Sequence, residues 1–196
     1  MKKIAVLVSG GGTNLQALIN AQNNGIIKSG KITLVVSNNK NAYALERAKN
    51  AGIKTQAIIK KECASKEEFE DKIISLLVKE GIDVIVLAGF MCILSKKFTD
   101  KFSGRILNVH PSLIPSFCGE GYYGLKVHEK ALEYGVKVTG ATVHFVNEIA
   151  DGGKIIMQKA VNILDGDTPE TLQRRVMEEA EWVILPLSVE KVCKEL

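Results

Sequence analysis

Apolar positions along the chain change their period from one stretch to the next. Residues 4–8 form an uninterrupted apolar run, and 32–36 and 84–88 read similarly, the pattern of parallel strands covered on both faces. Between them the apolar residues recur at helical spacing, which predicts helices over 14–23, 42–50 and 65–79. The third has a defined start: Ser65 followed by Glu68 forms a capping-box pattern, and Phe69, Ile73, Leu76 and Leu77 then mark one face. Gly52 and Gly81 fall just past two helix ends, where a left-handed residue closes the last turn. Strand and helix therefore alternate through the first half, the rhythm of a doubly wound α/β sheet whose ligands lie beyond the carboxyl ends of its strands.

The second half changes rhythm. Residues 137–147 and 154–163 read as two long strands joined by a turn over 148–153, so antiparallel strands are expected in the C-terminal part. A final helix follows, capped by Thr168 with Pro169 in its first position and with Leu172, Val176, Ala180, Val183 and Leu187 on one face. Pro186 is expected to kink or shorten it. No repeat, linker or low-complexity tract interrupts the pattern, and 196 residues suit one domain.

Composition narrows the function classes. The net charge of +4 comes from lysines scattered among acids, without the basic block of a nucleic-acid arm. Cys63, Cys92, Cys118 and Cys193 have neither paired nor zinc-like spacing, so reduced thiols and a cytoplasmic location are expected, with no metal. No apolar run reaches the roughly twenty residues that span a bilayer, and the N-terminus lacks signal-peptide character.

The candidate chemistry lies in loops that follow strands. Ser9-Gly10-Gly11-Gly12-Thr13-Asn14 joins the first strand to the first helix, where bare backbone N–H groups and a helix dipole can seat a phosphate. The loop lacks the Lys-Ser/Thr of a Walker motif. It also departs from the dinucleotide fingerprint, with Leu15 at the third glycine position and Ser37-Asn38-Asn39 where a ribose-binding acid would stand. A monophosphate fits better. Asn108 and His110, two apart at the end of an extended run, leave the same side of the backbone, and Pro111 stops the strand. Asp151, in an Asp-Gly-Gly turn, is a carboxylate able to hold the imidazole and raise its pKa. A metal held by His110, His144 and Asp151 has no recognised ligand spacing behind it. Taken singly, His128 and His144 read as helix-surface and sheet residues, and Glu178 and Glu179 as solvated helix charges. Residues 87–94 carry a buried strand into an apolar loop suited to a flat heterocycle.

Together these residues resemble the phosphoribosylglycinamide formyltransferases, folate-dependent enzymes of purine synthesis. The segments that carry the resemblance are SGGGTNLQ at 9–16, LAGFM at 87–91, ILNVHPSLIPSF at 106–117, and the stretch from TVHFV to DGG at 142–153. The resemblance implies a Rossmann-like, mainly parallel sheet flanked by helices. It implies that Gly12, Thr13, Asn14 and Glu181 bind glycinamide ribonucleotide. Lys66, Met91, Cys92, Ile93, Leu94 and Asn108 would bind the formyl donor, 10-formyltetrahydrofolate, and Asn108, His110 and Asp151 would be catalytic. Cys92 and Lys66 stand where the family usually has arginine, and the Lys66 ammonium keeps the charge without the fork. Residues 118–124 differ from the best-known members and suggest a flap over the substrate.

On this reading the amine of the ribonucleotide attacks the formyl carbon, Asn108 and His110 donate to the oxyanion, and Asp151 keeps His110 protonated. Cys118 has no base at catalytic spacing and is not expected to act as a nucleophile. The partners implied are two small molecules, without nucleic acid or membrane, for a monomer or homodimer. Other folate-dependent formyltransferases and a formylfolate hydrolase share the Asn, His and Asp arrangement, but their added domains make this length less suited to them. A noncatalytic nucleotide-binding module would use the glycine loop and leave the polar trio idle.

Overall fold

A computed structural model describes residues 1–196. Seven strands, β1 (Lys2–Val8), β2 (Gly30–Ser37), β3 (Lys54–Ala57), β4 (Val84–Leu87), β5 (Ile106–His110), β6 (Val138–Phe145) and β7 (Ile155–Asn162), form one sheet in the order β3-β2-β1-β4-β5-β6-β7. The first five run parallel, and β6 is antiparallel to both of its neighbours. Seven α-helices cover it: α1 (Thr13–Asn23), α2 (Tyr43–Asn50), α3 (Lys66–Glu80), α4 (Lys96–Lys101), α5 (Leu125–Tyr134), α6 (Pro169–Val176) and α7 (Trp182–Glu195).

The unbroken apolar runs have a direct physical cause. Successive side chains of a strand leave opposite faces, and both faces of the sheet are dry at its central strands β1 and β4. Ile4, Val6 and Val8 of β1 pack with α1, α2, α6 and α7. Ala5 and Leu7 pack with Phe69, Ile73 and Leu77 of α3 and Phe98 of α4. Helix boundaries follow local chemistry: the Ser65 hydroxyl accepts the Glu68 N–H, and Gly81 closes α3 in the left-handed region. The Glu68 carboxylate reaches back to the Ala64 N–H at 2.6 Å, one residue before the cap. Thr168 caps α6 in a capping box completed by Thr171.

The C-terminal helix departs from the expected single face. Met177–Glu181 form a π turn between α6 and α7, and the extra residue in that turn rotates everything after it by about 100° relative to a continuous α-helix. Ile184, Leu185, Val189 and Val192 therefore face the core, while Val183 and Leu187 are 38% and 43% exposed. Pro186 sits inside α7 without ending it. The four-residue β3 and six-residue α4 were not expected, being too short and polar for periodicity to reveal. The four cysteines are free thiols, and no helix is long and apolar enough to cross a membrane.

Candidate active site

Strand order reverses between β1 and β4, the switch point at which an open α/β sheet leaves a crevice. The glycine turn after β1 forms one wall. Gly12 is left-handed, with φ 74°, and serves as the N-cap of α1 without a side-chain cap, so the first N–H groups of that helix have no internal acceptor. Thr13 is exposed and Asn14 half-buried beside them. The Asn14 amide donates to Glu181 Oε2 at 2.7 Å. Glu181 is buried in the π turn, and burial pushes its carboxyl pKa up against the opposing Asn14 bond. The side-chain oxygen of Asn14, Oδ1, is buried and has no protein partner.

A Cβ at Gly12 would point at α2, away from the open crevice, and would lie 2.6 Å from the Ala44 Cβ and 2.9 Å from its Cα. Gly12→Ala is therefore expected to destabilise the protein by about 2 kcal/mol, a fall of roughly 4–8 °C in melting temperature. A thermal scan of the variant checks this, and an unchanged midpoint would contradict the close packing of the turn on α2.

The segment after β4 forms the opposite wall. The Met91 N–H donates to the Ser9 hydroxyl at 2.9 Å and ties the two walls together across the switch point. Met91 and Ile93 project outward, and Cys92 is half-buried with its sulfur accepting from the Asn38 amide at 3.1 Å. Leu94 places its side chain in the core with Phe90 and Phe98. Lys66 lies at the start of α3, 3.7 Å from buried Glu70. Glu70 in turn accepts from the Ser95 N–H and hydroxyl, which places Lys66 beside the end of the same segment.

Two strands from β1, the carboxyl end of β5 holds the polar cluster, about 10 Å along the edge at the usual strand spacing. Asn108 and His110 share the sheet face of Ile106. Asn108 pairs in register with His144 of β6, and its Nδ2 lies 3.2 Å from His144 Nε2. His144 Nδ1 lies 2.8 Å from the Phe145 carbonyl, which can only accept. That contact puts the ring proton on Nδ1, leaves Nε2 as acceptor for one amide N–H of Asn108, and keeps the other N–H free.

His110 Nε2 lies 2.8 Å from the Phe117 carbonyl, and its Nδ1 is 3.4 Å from Asp151 Oδ2. The other Asp151 oxygen is 3.5 Å from His144 Nε2. The turn that carries Asp151 is pressed onto the end of β6: a Cβ at Gly153 would meet the Phe145 carbonyl oxygen at 1.7 Å. The loop after β5 is latched over the cluster, since Asp151 Oδ2 also accepts the Gly119 N–H at 2.9 Å. Phe117 holds a left-handed φ of 48°, and its ring packs near Tyr122 and Tyr134.

Electrostatics correct one expectation. Burial lowers the His110 pKa below its ordinary value, and it outweighs the opposite pull of Asp151 and of the Phe117 carbonyl. His110 therefore rests neutral at neutral pH, with its proton on Nε2. For Asp151, burial acts to raise the pKa, but polar contacts that include the Gly119 N–H hold it below the usual carboxylate range. Burial, and less strongly Asp151, push the Cys118 thiol up, away from nucleophilic character.

His144 is a sheet residue, as read, and is also a buried member of the cluster. His128, read as helix surface, is instead fully buried on α5 with neither ring nitrogen partnered. For His144 a signal was present, because antiparallel pairing of 137–147 with the strand holding Asn108 brings it opposite that residue. His128 gave none, since a lone histidine at helical spacing does not reveal what covers it.

An open α/β sheet with a bare glycine turn after β1, an apolar segment after β4 and an Asn–His–Asp cluster at the end of β5 is the architecture of an α/β enzyme. The chain belongs to the formyl transferase family, whose model matches residues 2–188. It is 46% identical over 189 residues to a phosphoribosylglycinamide formyltransferase of Haemophilus influenzae, covering 96% of this chain and 86% of that protein. It is 47% identical over 190 residues to the trifunctional purine biosynthetic protein adenosine-3 of Gallus gallus, covering 97% of this chain but only 18% of that protein. The fold superposes on the crystal structure of glycinamide ribonucleotide transformylase 1 from Symbiobacterium toebii with a TM-score of 0.93 and 40% identity, over 100% of this chain and 89% of that one. The phosphoribosylglycinamide formyltransferase of Brucella melitensis gives 0.90 and 43%, over 98% and 95%.

Proposed function

We propose that this protein transfers the formyl group of 10-formyltetrahydrofolate to the amine of glycinamide ribonucleotide, yielding formylglycinamide ribonucleotide and tetrahydrofolate in purine synthesis. The observation that carries the reading is the Asn108 amide, which has one N–H committed to His144 and one free, in a cluster with His110 and Asp151 on the strand next to the apolar wall.

Gly12, Thr13 and Asn14 receive the phosphoribosyl part, with Glu181 behind Asn14. The folate lies against Met91, Cys92, Ile93 and the backbone at Leu94, its acidic tail toward Lys66. The substrate amine attacks the formyl carbon, a C–N bond forms, and the carbonyl electrons become an oxyanion. The free Asn108 N–H and the His110 Nε2–H donate to it. The Phe117 carbonyl stands where that oxygen would accept from His110, so the loop must yield as substrate enters. His110 needs no charge at rest to act as this donor. As negative charge develops, Asp151 stabilises any proton gained at Nδ1 and helps carry the amine proton, through water, to the departing folate nitrogen. Collapse of the oxyanion breaks the old C–N bond, and no covalent enzyme intermediate forms. The free thiols support a cytoplasmic setting.

The reading is tested by mixing the protein with both small molecules and following folate absorbance. Turnover that requires the ribonucleotide is expected. Folate release without it would indicate hydrolysis, and no reaction would leave only a binding module. Asp151→Asn should reduce turnover at least about a hundredfold while the thermal midpoint changes little, and near-wild-type turnover would remove Asp151 from the mechanism.

A further inference from the structure

We propose that Arg47 of α2 is a positioning residue for the phosphate seat, acting through the backbone of the glycine turn. The proposal rests on the reading that this turn receives the ribonucleotide's phosphate. The Gly10 carbonyl accepts the Ala44 N–H at 3.1 Å. The Gly11 carbonyl accepts from Arg47 Nε at 2.8 Å. Two consecutive carbonyls are thus drawn toward α2. In a planar trans peptide the N–H points opposite to its carbonyl, so anchoring these two aims the Gly11 and Gly12 N–H groups away from α2, toward the crevice. Neither donates to any protein acceptor.

Arg47 is itself held from behind. Its second nitrogen donates to Gln16 Oε1 at 3.1 Å, and the guanidinium lies 4.9 Å over the Tyr43 ring. It approaches the turn on the side where Gly12 packs on Ala44, opposite the aimed N–H groups. Two of its donors are engaged by protein oxygens, so its effect on an anion is transmitted through the orientation of two peptides.

The test separates orientation from charge. Arg47→Gln places an amide N–H where Nε stood and removes the charge, whereas Arg47→Met has similar length with neither. For Arg47→Met, the KM for glycinamide ribonucleotide should rise about tenfold or more, with saturated kcat within about twofold and the formylfolate KM unchanged. Arg47→Gln should recover most of that loss. Equal loss in both variants would assign the effect to charge, and no loss in Arg47→Met would remove the role; either result overturns the proposal.

Backbone amide NMR gives a readout independent of turnover. Adding glycinamide ribonucleotide alone to the wild type should shift the Gly11 and Gly12 resonances, and the shifts should be diminished in Arg47→Met. Unmoved resonances in the wild type overturn the proposal even if Arg47→Met fails to fold. Shifted resonances in a protein that shows no formyl transfer would instead overturn the proposed reaction and retain the positioning role.

Discussion

Replacing Asn108 by alanine is expected to reduce formyl-transfer turnover about a hundred- to thousandfold, equivalent to roughly 3–4 kcal/mol of barrier. The size follows from how the amide is held. Register pairing puts Asn108 opposite His144, and the His144 ring is itself fixed by the Phe145 carbonyl, so the remaining amide N–H is aimed before substrate arrives. A donor already oriented loses no reorganisation energy when charge develops on its acceptor. Asn108 belongs to neither hydrophobic cluster, so the loss should appear in kcat with little change in thermal midpoint. Turnover within about threefold of wild type would mean that the oxyanion is stabilised elsewhere.

The second large effect concerns acid stability and centres on His128. Burial, with a smaller contribution from a charged His110, lowers its pKa from 6.5 to about 4. As pH falls, the unfolded chain gains this proton before the folded one does. The contribution of His128 is therefore complete above the unfolded value near 6.5 and is lost as pH falls through about 4. Its full size is about 3 kcal/mol. Because neither ring nitrogen has a partner, His128→Leu forfeits no hydrogen bond and should be neutral or stabilising at pH 7.5. At pH 4.5 the variant should exceed wild type by most of that amount. Urea midpoints at the two pH values decide the matter: parallel losses in both proteins would place acid sensitivity elsewhere, with His110, whose pKa shifts the same way, the first group to test.

Much of the architecture was legible in the chain because it follows from burial periodicity. Runs such as 4–8 and 84–88 suit strands covered on both sides, and Ser65, Gly81 and Thr168 stand where helix ends require them. The C-terminal helix shows where periodicity ends. Its apolar residues fit one α-helical stripe on paper, and only the backbone bonding of Met177–Glu181 decides that Ile184 and Leu185, not Val183 and Leu187, turn inward. A π turn has no compositional signature, since it is a choice among hydrogen-bond partners that packing against the sheet decides.

The site divides along the same line. The amino-acid sequence by itself determined which functional groups exist and on which strand ends they stand: the bare turn at 10–12, the Asn108 and His110 pair, and the Asp151 turn. It also determined the family, because those groups recur in fixed local segments. Only the tertiary structure decided the state of each group. Antiparallel pairing brought His144 against Asn108, the loop after β5 set the Phe117 carbonyl on His110, and exclusion of water left His110 neutral against the pull of Asp151. It also brought Arg47 to Gly11 from a different helix. Residue type and local spacing are properties of neighbours along the chain. Protonation, tautomer and peptide orientation depend on fields and contacts from residues far apart in it, which come together only when the sheet closes.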